Sequence, residues 1–172
     1  MFLKHENHVR GTIVASIVAI IWMMGTARAG DATASGRAGV TALVNQQYTE
    51  AVDSLKRAAA TEPQNRLWQL NLGWAYNALK QADNAIGAFS KARTLTKSTD
   101  YYVMGWILWG LANAYETKKD CASLAKALSE WMSLTLAQST TVRGRAIVQK
   151  QMAIAKQRIR QCPTKVMADR PQ

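Results

Sequence analysis

Small and apolar residues return at a fixed distance in this chain, and that return constrains the fold more than any other feature. Leu72-Gly73 is followed by Tyr76, and then by Ala85, Phe89 and Ala92 at spacings of four and three. A shift of thirty-four residues toward the N-terminus takes Gly73 to Gly39, Ala85 to Ala51, Phe89 to Leu55 and Ala92 to Ala58. Pro63 stands just beyond. Steps of three and four keep side chains on one face of a helix. A period of this length marks a supersecondary unit that buries its apolar face against the next copy. Within the unit, Gly73, Ala85 and Ala92 let two helices approach closely, while Leu72, Tyr76 and Phe89 fill the volume between them.

The order L-G-x2-Y, A-x3-F, with Pro63 as a closing proline, resembles the tetratricopeptide repeat (TPR) pattern. Gln69 occupies the place of the usual Trp, and Trp68 lies one residue earlier. In the first unit Ala38 and Ala42 replace Leu and Tyr. Leu111, Ala112 and Tyr115 repeat the first half 39 residues after Leu72, Gly73 and Tyr76, so the third unit carries five inserted residues. In its second half the match fails, because Leu124, Leu128 and Trp131 stand where Ala, Phe and Ala are expected. The resemblance implies an all-α fold: a right-handed stack of antiparallel helix pairs, about three units, closed by a C-terminal capping helix. Two units fall short of a stable stack, so residues after 97 must complete the core.

The chain divides unevenly. Lys4 and Arg10 precede an apolar run from Ile13 to Met24, and Ala27-Arg28-Ala29 offers a cleavage site. Residues 1–29 therefore read as a secretory signal peptide, with a retained N-terminal anchor as the alternative. No Cys follows the run to carry a lipid. Residues 30–39 (GDATASGRAG) read as a flexible linker, 40–162 as the helical domain and 163–172 as a disordered tail. Helices are expected over about 40–46, 49–61, 66–79, 83–95, 101–117, 120–137 and 142–161. The protein is expected to be exported, periplasmic or secreted.

Export removes both histidines, His5 and His8. Ser-His-Asp and Cys-His catalysis and His-ligated metals are then excluded. No Gly-rich phosphate loop is present. Glu116 and Asp120 are four apart, but Lys118 and Lys119 between them offset their charge. No enzyme activity, cofactor or metal is expected. The net charge is +11, and losing Lys4, Arg10, Arg28 and Glu6 with the leader leaves +9. Anionic lipid, envelope polymer or acidic protein suits such a chain better than nucleic acid in an exported compartment.

Cys121 and Cys162 are the only cysteines. In an oxidising compartment an even pair favours a disulfide. Cys121 would open one helix and Cys162 close the next, so antiparallel packing brings them level. The last helix carries an apolar stripe of Val148, Met152, Ala155 and Ile159, as a cap requires. Around it lie Arg143, Arg145, Lys150, Lys156, Arg158 and Arg160, either a solvated face or a cationic docking surface.

In TPR stacks the first helices of successive units line a concave groove that takes partner segments. The resemblance places Leu67, Leu70, Asn71, Trp74 and Asn77 there from the central unit, with Tyr102, Trp106, Trp109 and Asn113 from the third. Met104, Leu108, Leu111 and Tyr115 take the packing side. Aromatic rings give rigid contact area and Asn amides bond a peptide in both directions. Alternatively, these indoles pack between helices as core. The expected function is a non-enzymatic TPR-like adaptor of the cell envelope that binds a protein or peptide segment. The alternative is a binder of an anionic envelope polymer or membrane surface through the basic last helix.

Overall fold

The computed structural model describes residues 32–138 and 142–162, with the side chains of 138 and 142–147 left aside. The proposed leader, the tail at 163–172 and residues 139–141 of the expected turn lie outside the described residues. Seven helices and no strand occur among the described residues. They are α1 (residues 32–44), α2 (Tyr48–Thr61), α3 (Arg66–Ala78), α4 (Ala82–Thr94), α5 (Tyr101–Lys118), α6 (Cys121–Gln138) and α7 (Val142–Gln161). From α2 onward each helix packs on the next, and α3 also meets α5. The result is an all-helical, repeat-like arrangement of neighbouring pairs.

Residues 32–39, expected as a linker, are instead the first turns of α1. Their small side chains serve close packing. A Cβ on Gly36 would lie 2.3 Å from the Trp68 ring, and one on Gly39 would lie 2.6 Å from Leu55 Cγ. Linkers and tightly packed helices share this composition, and only the large partners across the space tell them apart.

One turn geometry recurs three times. Gln46, Lys80 and Lys119 adopt left-handed backbone, with φ of 62°, 59° and 61°. The next residue's N–H reaches back in each case: Gln47 to Ala42 O (2.8 Å), Gln81 to Tyr76 O (2.9 Å) and Asp120 to Tyr115 O (2.9 Å). This is the αL helix ending, which satisfies the orphan carbonyls of the last turn and reverses the chain. The recurrences are 34 and 39 residues apart, the same shifts that relate Gly39, Gly73 and Ala112. Starts are marked as well. Asn65 accepts from Leu67 N–H, Asp100 from Val103 N–H and Asp120 from Ser123 N–H.

The five inserted residues can be located. Leu72 is the seventh residue of α3, whereas Leu111 is the eleventh of α5. Four of the five thus build an extra first turn on α5, Tyr101–Met104, and the fifth lies in the connection before it.

Phe89 is the central wedge. It is fully buried and packs against both Gly73 of α3 and Gly110 of α5; a Cβ on either would come within 2.3–2.8 Å of its ring atoms. The positions related by the repeat are all buried: Ala51, Ala85 and Leu124; Leu55, Phe89 and Leu128; Ala58, Ala92 and Trp131. The third unit keeps the burial pattern with a different distribution of sizes, Leu and Trp for two alanines and Leu for Phe, and Gly105 of α5 faces Trp131 and Leu134. Asp83–Lys118 (2.6 Å), Arg93–Glu130 (2.8 Å) and Arg66–Asp100 pair across the surface between units.

α7 packs through buried Ala155 and half-buried Met152 and Ile159, and Cys121 and Cys162 form a disulfide with Cα atoms 5.6 Å apart. No helix among the described residues is long and apolar enough to cross a membrane.

Candidate interaction surface

α3 and α5 run side by side in the same direction. Arg66–Asp100, Trp74–Trp106 and Asn77–Gly110 mark successive contacts down the pair. Along this seam the rings form a continuous edge-to-face series. Phe89 meets Trp74 at 5.5 Å, Trp74 meets Trp106 at 6.0 Å, and Trp106 meets Tyr102 at 6.1 Å, with interplanar angles of 83°, 78° and 77°. Such T-shaped contacts align ring edges with ring faces and add to simple burial. The series starts in the core and ends in solvent: Trp106 is 47% exposed and Tyr102 76%. Leu70 is half-buried beside it. The indole N–H groups of Trp74 and Trp106 make no hydrogen bond among the described residues.

The asparagines are less available than the groove reading requires. Asn71 Nδ2 donates to Leu67 O (2.9 Å) within its own helix, and Asn77 Nδ2 donates to Gly110 O (2.8 Å) across the seam. Each amide thus has part of its capacity committed to holding helices. Leu108 and Leu111 are buried, and Met104 and Tyr115 half-buried against the same core.

Trp109 and Asn113 turn away from this series toward α6 and α7. The Trp109 ring lies 5.0 Å from that of Trp131, and the Arg158 guanidinium sits 5.0 Å over it. Arg158 Nη2 donates to Asn113 Oδ1 (2.9 Å) and to Glu116 Oε2 (2.6 Å), and Nε donates to Glu116 Oε1 (3.3 Å). The expected groove set therefore separates into an α3–α5 face and an α5–α7 contact. Arg158 does not belong to an outward basic surface. Its side chain is only 14% exposed and clamps α7 to α5, combining a forked carboxylate pair with a cation–π contact. Lys150, Lys156 and Arg160 are exposed; the side chains of Arg143 and Arg145 lie outside the described residues.

Two exposed residues near the seam were not among the expected groove residues. Tyr101 stands on the inserted turn of α5, and Lys97 in the connection before it. With Arg66, Thr99, Asp100 and Tyr102 they line an open hollow of about 570 Å³. The insertion itself was the available signal. Nearby, Asn65 and then Trp68 donate to the Glu62 carboxylate (2.9 and 2.8 Å) and hold its pKa below the ordinary value. No cluster of His, Cys, Asp and Glu that could hold a metal occurs among the described residues. No protein-family model matches the chain, and no curated protein matches it significantly.

Proposed function

We propose that this chain is an exported, non-enzymatic, TPR-like adaptor of the cell envelope that holds a peptide segment of a partner protein against the α3–α5 face. The observation that carries the reading is the aromatic series that rises from buried Phe89 through Trp74 and Trp106 to exposed Tyr102. Rings fixed at one end by the core present rigid contact area at little entropic cost, and the indole N–H groups suit peptide carbonyls. The thrice-repeated αL turn at shifts of 34 and 39 residues supports a right-handed TPR-like stack. Export is supported by the apolar leader with its A-x-A site and by the disulfide. The binding residues of this reading are Leu70, Trp74, Tyr102 and Trp106, because Trp109 and Asn113 are engaged by α7.

A photo-crosslinking side chain at position 71, one turn before Trp74 on α3, tests this in an envelope extract. One dominant adduct with a partner protein is expected. Trp106→Ala should weaken capture by roughly thirtyfold, the loss of about 2 kcal/mol typical of an aromatic anchor. The anionic-polymer reading predicts the reverse: Lys156→Gln with Arg160→Gln abolishes binding, while Trp106→Ala leaves it unchanged.

A further inference from the structure

α1, α3 and α5 share one end. Gly36 of α1 lies against Trp68 of α3, and Arg66 of α3 pairs with Asp100 before α5, so the three helices start at about the same level. Residue 32, where the chain arrives from the apolar run Ile13–Met24, is at that end. α6 runs back toward it, since Gly105 near the start of α5 lies close to Trp131 and Leu134 late in α6.

Exposed apolar side chains collect there. Leu67, Tyr101 and Tyr102 stand in the first turns of α3 and α5, and Leu136 in the last turn of α6. The acids of the same end are engaged internally: Glu62 by Asn65 and Trp68, Asp100 by Arg66 and the Val103 N–H, Glu130 by Arg93. Lys97 is exposed and has no ion pair among the described residues. It borders the open hollow of about 570 Å³ with Arg66, Thr99 and the two tyrosines. An anion seated there would meet the Asp100 carboxylate, whose charge Arg66 already offsets.

We infer that this end, tipped by Leu67, Tyr101, Tyr102, Leu136 and Lys97, is a docking face for an anionic phospholipid surface. Tyrosines favour the headgroup level, where the ring is wetted on one side and the hydroxyl stays hydrated. Leucines reach the acyl boundary, and an uncompensated lysine meets anionic headgroups. The apolar run reaches the domain at this end, so during export, or throughout if the run is retained, this end is the one nearest the bilayer. The inserted turn of α5 gives the tyrosines their reach. Because no described helix spans a membrane, the contact is one of resting on the surface. The α3–α5 seam begins beside this face, but the inference does not depend on a peptide occupying it.

The test is co-sedimentation of the processed protein with vesicles of dioleoylphosphatidylglycerol and dioleoylphosphatidylcholine, alongside pure dioleoylphosphatidylcholine. Binding to the anionic vesicles alone is expected. Tyr101→Ser with Tyr102→Ser should weaken it by roughly tenfold, since two interfacial rings are lost. Lys97→Gln should weaken it several-fold, and Lys156→Gln with Arg160→Gln should leave it within about twofold, being far from the contact. Tyr102 is 76% exposed and Tyr101 42%, so the thermal melt should fall by only a few degrees and remain cooperative, which separates a binding loss from misfolding. The inference is overturned if anionic vesicles are not bound, if the tyrosine pair has no effect, or if only the α7 variant loses binding. It is also overturned if the tyrosine pair reduces protein crosslinking at position 71 but not vesicle binding, which assigns this end to the protein partner. Trp106→Ala should leave vesicle binding intact, so the two proposals fail separately.

Discussion

Replacing Gly73 by Ala sets two opposed effects against each other at one atom. In a helix interior, Ala is favoured over Gly by about 1 kcal/mol, so the change should stabilise if nothing else intervened. The new Cβ, however, would lie 2.6–2.7 Å from three atoms of the Phe89 ring, against the 3.4 Å at which ordinary contact begins. The same ring atoms also pack closely against Gly110 of α5, which limits how far the ring can shift. Overpacking of this kind costs about 1–3 kcal/mol, which matches or outweighs the propensity gain. A net loss of up to about 2 kcal/mol is expected, read as a lower urea midpoint and a Tm lower by roughly 2–4 °C per kcal/mol for a chain of this size. Two controls separate the terms. Gly87 sits in α4 with nothing within 4 Å of its would-be Cβ, so Gly87→Ala should gain about 1 kcal/mol. Adding Phe89→Leu to Gly73→Ala should recover part of the loss, because the third unit carries that combination, Ala112 with Leu128, at the same shift. A coupling of about 1 kcal/mol or more in the double-mutant cycle is expected. If Gly73→Ala stabilises as much as Gly87→Ala, Phe89 is not wedged and the account of the core is wrong.

Two further outcomes follow from other contacts. Gln69 is buried, and its amide makes no hydrogen bond among the described residues, while the position 39 residues on holds buried Leu108. Gln69→Leu should therefore stabilise by about 1–2 kcal/mol in urea unfolding, and a loss would mean that the amide is satisfied in solution. Cys121→Ala with Cys162→Ala opens a loop of 41 residues and should lower stability by about 4 kcal/mol in the chain-entropy picture. Equal melts of the oxidised parent and the variant would refute that assignment.

What could be read along the chain was whatever depends on neighbours within one pair. Gly39 with Leu55 and Gly73 with Phe89 are both contacts sixteen residues apart, close enough for a local pattern to expose them. The cysteine pair was legible because helix ends are predictable from cap residues and turns. The third unit was harder. Its second helix exchanges Ala85, Phe89 and Ala92 for Leu124, Leu128 and Trp131, and what those side chains meet lies on other helices, Trp131 against Trp109 and Gly105 of α5. Trp106 and Trp109 share a stripe on α5, yet one meets α3 and the other α6 and α7. That division depends on where α7 docks. Arg158 has the sequence profile of a solvated cation, and its role depends on Trp109, Asn113 and Glu116, more than forty residues away. Residues 32–39 show the same limit, because small residues say nothing about the Trp68 ring that packs on them.

The disulfide has a mechanical consequence. A pull on the C-terminal tail reaches Cys162 and passes through sulfur to Cys121, so the force enters at the junction between α5 and α6. The polypeptide between the two cysteines carries none of that load. On forced unfolding it would contribute none of its roughly 140 Å of extended contour, taking about 3.4 Å per residue over 41 residues. A domain anchored at its N-terminal end and loaded at its tail would shear between its earlier helices first, while α6 and α7 stay looped together out of the line of tension.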